Sequence, residues 1–81
     1  MYFLYILYSD TLRKYYVGTT SNIEARLKKH LSNHKGYTSR AKDWQVVYSE
    51  PFEERALAIA REKQIKNWKS SKMIEKLVHS H

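Results

Sequence analysis

Near the start of this 81-residue chain, Tyr2-Phe3-Leu4-Tyr5-Ile6-Leu7-Tyr8 forms an unbroken apolar and aromatic run. Such a run reads as a strand buried on both faces, because no alternation leaves one side for solvent. A chain this small hides roughly two thirds of the surface its unfolded form exposes. Its stability must therefore come from a single core, and the expected organisation is one domain over residues 1–81. There is no cysteine, which excludes a disulfide scaffold and a cysteine-bound zinc ribbon and fits a reducing, cytoplasmic compartment. No apolar run approaches membrane-spanning length. Met1 to Tyr8 lacks a basic leader and a small-residue cleavage site, so a strand is expected there and not a signal peptide.

The rest of the chain supplies what such a strand needs. Ser9-Asp10-Thr11 offers turn residues, and Arg13 to Thr19 returns as a second β-rich segment, close enough for an antiparallel hairpin. Without an Asn-Gly or Asp-Gly pair, the loop should exceed two residues. Ser21-Asn22-Ile23-Glu24 has the form of a capping box, predicting a helix with Ile23, Leu27 and Leu31 on its buried stripe. Ser32 to Lys42 reads as a loop or short turn. Trp44 to Tyr48 is the third strand candidate, and Pro51 bars its continuation as a central strand. Glu53 to Trp68 is the longest helical stretch, with Glu53 and Glu54 placed to suit the helix dipole at its start. Ser70 or Ser71 can cap a last helix whose Met73, Ile74, Leu77 and Val78 share a face. The order is β-β-α-β-α-α: an α/β (α+β) sandwich with a small three-stranded antiparallel sheet flanked by helices.

Tyr5 and Tyr16 would sit on paired strands. They are either core aromatics whose hydroxyls reach the surface or phenols aimed at a phosphodiester, where they orient or deprotonate water. A free phenol has a pKa of about 10 and is a poor base, so the second role needs a nearby cation or metal. Tyr15 should point to the opposite face from Tyr16. Arg26 and His30 are four residues apart and stack on one side of the first helix. They suit either an ordinary helix surface or a phosphoryl-charge stabiliser beside a proton-transfer group.

Glu62 borders the apolar stripe of the long helix, with Ala58, Ile59 and Ile65 around it. A carboxylate in an apolar seam is costly unless paired or metal-bound. A salt bridge to an Arg or Lys of another element explains it, and so does a hard-metal ligand. Mg²⁺ is commonly held by a single carboxylate with waters and substrate phosphates.

The net charge of +7 points to a polyanionic partner. Arg13, Lys14, Lys35, Arg40, Lys63, Lys66 and Lys69 are the candidate phosphate contacts. Lys69, Lys72 and Lys76 would fall close to one face if they share the last helix. Such charge attracts phosphates without regard to sequence. No zinc finger, recognition helix or RNA-binding signature is visible.

These residues together resemble the GIY-YIG endonuclease superfamily, in particular the small stand-alone, single-domain branch related to the nuclease module of the excision-repair machinery. Phe3-Leu4-Tyr5 stands where the first triplet belongs, and Tyr16-Val17-Gly18 is the second. Arg26 falls ten residues after Tyr16, and His30 occupies a His or Tyr position. Tyr37-Thr38 and Ala60-Arg61-Glu62-Lys63-Gln64-Ile65-Lys66 also look like this branch. The resemblance implies catalysis by Tyr5, Tyr16, Arg26, His30 and Glu62. One Mg²⁺ or Mn²⁺ would sit on Glu62, water would be activated with help from Tyr16 and His30, and Arg26 would bear on the scissile phosphate. Tyr5 would orient the nucleophile or the phosphate. The chain departs from the pattern in two places. Phe3 replaces a glycine, and the spacing at which larger members carry an Asn falls near Ile74, with Asn67 too early.

The expected function is metal-dependent hydrolysis of DNA, including branched or single-stranded DNA, in repair or recombination, with no membrane partner. The missing Asn and the basic C-terminal half motivate one alternative, a nucleic-acid-binding module with weak or lost catalysis. A further option is a subunit whose site is completed by a protein partner.

Overall fold

In the computed structural model, which describes residues 1–32 and 36–80, β1 (Tyr2–Ser9) is the middle strand of a three-stranded antiparallel sheet. It lies between β2 (Lys14–Thr20) and β3 (Gln45–Phe52). Its side chains divide between two cores, as strand alternation requires. Leu4 and Ile6 join Val17 and Ile65 on one face, and Tyr5 and Leu7 join Ala41 and Trp44 on the other. The first face is covered by α2 (Arg55–Asn67) and α3 (Ser71–His79), the second by α1 (Ile23–Leu31). This is why the run could be apolar throughout.

The expected order β-β-α-β-α-α is observed, with a short 3-10 turn at Tyr37–Arg40 between α1 and β3. The hairpin loop is indeed longer than two residues, and Arg13 closes it in the left-handed region at φ 53°. Asp43 secures that loop from outside. Its carboxylate accepts from the Ser9 hydroxyl at 2.6 Å and from the Thr11 backbone and hydroxyl at 2.9 Å.

Several boundaries differ from the sequence reading. Asn22, not Ser21, caps α1, and its side chain accepts from the Ala25 N–H at 3.0 Å. Asparagine is at least as good an N-cap as serine, and Thr20 binds the Asn22 backbone N–H just before it. β3 continues through Pro51 to Phe52, because it is an edge strand and its outer side needs no partner. The register slips between Ile6 and Leu7, opposite Tyr48 and Val46, so Val47 and Tyr48 both pack on the α2 side. α2 starts at Arg55, which leaves Glu53 and Glu54 ahead of its first turn. On α3, Ile74, Leu77 and Val78 pack inward while Met73 is exposed. Lys69 belongs to the α2–α3 junction at φ 49° and does not share a helix with Lys72 and Lys76. Among the described residues no helix is long and apolar enough to cross a membrane.

Candidate active site

The site begins at a cross-strand pair. Tyr5 on β1 lies opposite Gly18 on β2, and its phenol rests on the glycine. A Cβ added at Gly18 would lie 2.7 Å from the Tyr5 hydroxyl oxygen. The glycine that ends Tyr16-Val17-Gly18 is thus the space that admits Tyr5.

From there a hydrogen-bonded chain crosses the α1 face. The Tyr5 hydroxyl meets His30 Nε2 at 2.8 Å, and His30 Nδ1 meets the Thr38 hydroxyl at 2.9 Å. In either tautomer one ring nitrogen donates and the other accepts. Trp44 fixes the far end, donating its indole N–H to the Thr38 carbonyl at 2.8 Å. Tyr5, His30, Thr38 and Trp44 are all buried, with Tyr5 only 2% and His30 8% exposed. Burial pushes the Tyr5 phenol well above its ordinary value, with Tyr16 and Glu62 adding to the effect and Arg26 opposing it. Tyr5 is therefore a neutral hydrogen-bonding group and not a base.

Tyr16 is half-buried beside this chain. Its ring meets His30 edge-on at 4.8 Å between centroids and lies 6.4 Å from Tyr5. Lys66 places its ammonium 6.0 Å from the centroid of the Tyr16 ring. The same ammonium pairs with Glu62 Oε2 at 2.6 Å, while the Thr19 hydroxyl donates to Oε1 at 3.1 Å. Tyr15, as expected, faces the opposite core.

The Glu62 partners differ from the salt bridge considered from sequence. The cation comes from its own helix, one turn on, and the neighbouring element supplies a hydroxyl. An i,i+4 pair whose lysine is 52% exposed is worth only about 0.3–0.5 kcal/mol. That is small for a carboxylate whose side chain is only 20% exposed. The neighbouring Arg61 shows what a structural ion pair looks like in this fold. It grips both oxygens of Glu50 on β3, at 3.0 and 3.1 Å, and holds Gln64 at 2.7 Å. Burial alone would raise the Glu50 carboxyl, but the hydrogen bonds from Arg61 and Tyr48 outweigh it and hold it below its ordinary value. Arg61 and Glu62 thus tie α2 to the two edge strands on either side of β1.

Arg26 lies on the exposed side of α1, one turn before His30, in a small pocket that also includes Thr19. The five expected catalytic residues are accordingly near one another but divided by burial. Tyr5 and His30 form an internal frame, while Tyr16, Arg26 and Glu62 border the surface. Of the basic candidates, Arg13, Lys14, Lys66 and Lys69 line one groove of about 410 Å³ between β2 and the α2–α3 junction, walled by Tyr15 and Tyr16. Lys63 and Arg40 do not line it, and Lys35 lies outside the described residues. The sequence placed Thr19 and Trp44 only at the bounds of strand candidates and gave Asp43 no role. Thr38 entered only through the resemblance to the branch, and Lys66 through that resemblance and as a candidate phosphate contact.

Glu62 is a hard oxygen donor at the rim of the site. Among the described residues no three His, Cys, Asp or Glu side chains converge. This donor set fits an ion that keeps most of its waters, as Mg²⁺ does, and not a closed tetrahedral cage. The exposed Lys66 ammonium would have to swing aside to admit one.

The family model of the GIY-YIG catalytic domain matches residues 1–76. The chain belongs to the GIY-YIG family. No curated protein and no solved structure gives a significant match. As a GIY-YIG domain it is of the nuclease type, a hydrolase class whose implied substrate is DNA and whose members generally depend on a divalent metal. Its three antiparallel strands and three helices are the architecture expected of that family. The two triplets meet where Tyr5 pairs with Gly18.

Proposed function

We propose that this GIY-YIG domain is a divalent-metal-dependent endonuclease that hydrolyses DNA phosphodiester bonds, with Mg²⁺ or Mn²⁺ held by Glu62. The observation that supports this best is the Glu62 carboxylate itself. Its side chain is only 20% exposed yet is held by just a weak i,i+4 ion pair and the Thr19 hydroxyl, and it lies within electrostatic reach of Tyr5.

Tyr16 is the phenol that borders the surface, and it helps orient and deprotonate the attacking water. Arg26 bears on the phosphate and stabilises the charge that grows on its oxygens as the P–O bond breaks. His30 has both ring nitrogens engaged. Its contribution is to hold Tyr5, and through ring contact Tyr16, in one orientation. Tyr5 thereby acts through His30 and not by direct contact with the nucleophile. Glu62 would hold the divalent ion, which would supply Lewis-acid polarisation of a phosphate oxygen when bound.

The alternative reading, a DNA-binding module without catalysis, draws on the groove of Arg13, Lys14, Lys66 and Lys69. One experiment separates the two. Duplex, flapped and branched DNA are incubated with the protein and Mg²⁺ or Mn²⁺, beside the Glu62→Ala variant. Nicks that vanish with Glu62→Ala support the nuclease, and a preference for flapped or branched DNA supports a repair or recombination role. Binding without nicks, unchanged in Glu62→Ala, supports the module. Equal nicking by both proteins would sink the assignment.

A further inference from the structure

A second pocket, of about 240 Å³, is lined by Tyr2, Thr19, Thr20, Ser21, Arg26 and Arg55 and shares no residue with the basic groove. Thr19 is shared: it walls this pocket and donates to Glu62. The pocket is smaller than the roughly 300–1,000 Å³ of drug-sized ligand sites, so it suits a charged group and not a whole small molecule.

The polar groups around it are mainly donors. Thr19 and Thr20 direct their hydroxyls to Glu62 and to the Asn22 carbonyl. Among the described residues, the guanidiniums of Arg26 and Arg55 and the hydroxyls of Tyr2 and Ser21 make no hydrogen bond or ion pair. The nearest acids in sequence, Glu24, Glu53 and Glu54, do not line the pocket. Arg55 is the first residue of α2, where the helix dipole adds positive potential and Glu54 makes no side-chain cap.

Arg55 and Glu62 share that helix at a spacing of seven residues. This is about 20° short of two full turns and about 10 Å along the axis. Both therefore lie on one face of a rigid element. We propose that this pocket seats an internal phosphate of the DNA strand next to the phosphate that is cut, and that Arg55 is the substrate-positioning residue that holds it. Arg26, which lines the same pocket, would bear on both phosphates. The proposal rests on the nuclease reading and adds to it a side on which the substrate strand must run.

The test is fluorescence anisotropy of single-stranded oligonucleotides, with and without a 5′-terminal phosphate, on the Glu62→Ala protein, which holds substrate without cutting it. Adding Arg55→Gln should weaken binding of both oligonucleotides roughly tenfold, the loss of one charge-assisted contact on an open surface. It should also lower the slope of log affinity against log salt by about 0.7. Arg55→Lys should recover part of the loss. Lys28→Gln, which removes an exposed α1 charge elsewhere, should stay within about twofold. In the protein that retains Glu62, Arg55→Gln should raise KM and leave kcat within about twofold. If Arg55→Gln behaves like Lys28→Gln, the seat is overturned while the nuclease reading stands. An effect confined to the 5′-phosphorylated oligonucleotide overturns an internal seat in favour of a terminal one. No binding to the Glu62→Ala protein at low salt overturns both.

Discussion

Gly18→Ala is the sharpest probe of how the site is built. The backbone at Gly18 is not in the left-handed region, so alanine meets no conformational barrier there. By itself, the substitution should stabilise the fold by about 0.4–1 kcal/mol through the unfolded chain. The obstacle is Tyr5. The new Cβ would lie 2.7 Å from the Tyr5 hydroxyl oxygen and 2.9 Å from its ring carbon, well inside the 3.4 Å at which ordinary contact begins. Tyr5 cannot retreat cheaply, being 2% exposed and bonded to His30 at 2.8 Å. Overpacking costs about 1–3 kcal/mol, and a broken bond to His30 costs about 1–3 kcal/mol more. The net expectation is a loss of about 1–5 kcal/mol, or roughly 5 °C or more in Tm for a domain this size. Urea denaturation of Gly18→Ala, Tyr5→Leu and the double variant reads this directly. The cycle should show a coupling of at least about 1 kcal/mol, because the clash disappears with the phenol. A Gly18→Ala protein as stable as the parent would refute the reasoning, since it would mean that nothing occupies the space above the glycine.

Thr38→Val should destabilise by about 1–2 kcal/mol and reduce cleavage by more than the stability loss explains, as His30 loses the hydroxyl at Nδ1; single-turnover rates on fully folded protein check it. Lys66→Met should change stability by no more than about 0.5 kcal/mol yet tighten Mn²⁺ binding measured by calorimetry, because Glu62 is released from its ammonium partner; weaker Mn²⁺ binding would contradict this. Stability should fall at both ends of the pH scale. The raised Tyr5 phenol favours the neutral form in the fold, so its contribution is complete below 10.0 and is lost as pH rises beyond it. The lowered Glu50 carboxyl acts oppositely: its contribution is complete above 4.5 and is lost as pH falls below it. Urea midpoints across pH test both limbs, and Glu50→Gln should flatten the acid one.

The strands and helices were legible because their signals are local. An unbroken apolar run demanded cover on two faces, and helical spacing placed Ile23, Leu27 and Leu31 of α1 against that core, but it revealed neither that His30 is buried nor that Leu57 of α2 is exposed. Boundaries were less legible where two residues competed for one role, as Ser21 and Asn22 did for the cap. Pro51 shows the same limit, since a proline ends a strand or tolerates it according to whether that strand is an edge. Tyr5, Tyr16, Arg26, His30 and Glu62 could be named from family spacing, but their division into frame and surface could not. Burial of His30 depends on Thr38 and Trp44, eight and fourteen residues further on, with no periodic relation to it. Glu62 was conspicuous as an acid in an apolar seam. The Thr19 hydroxyl on its other oxygen comes from a contact across 43 positions, which no local pattern encodes.

The central claim is that Glu62 serves hydrolysis and not the fold. It is tested most directly by single-turnover cleavage of a labelled DNA by the parent protein and by Glu62→Gln, which keeps the side chain's shape and its hydrogen bond to Thr19. The expected result is overlapping melting curves and a cleavage rate at least about 100-fold lower in the variant, as when a group needed for transition-state charge is removed. Equal rates from two equally stable proteins would contradict it.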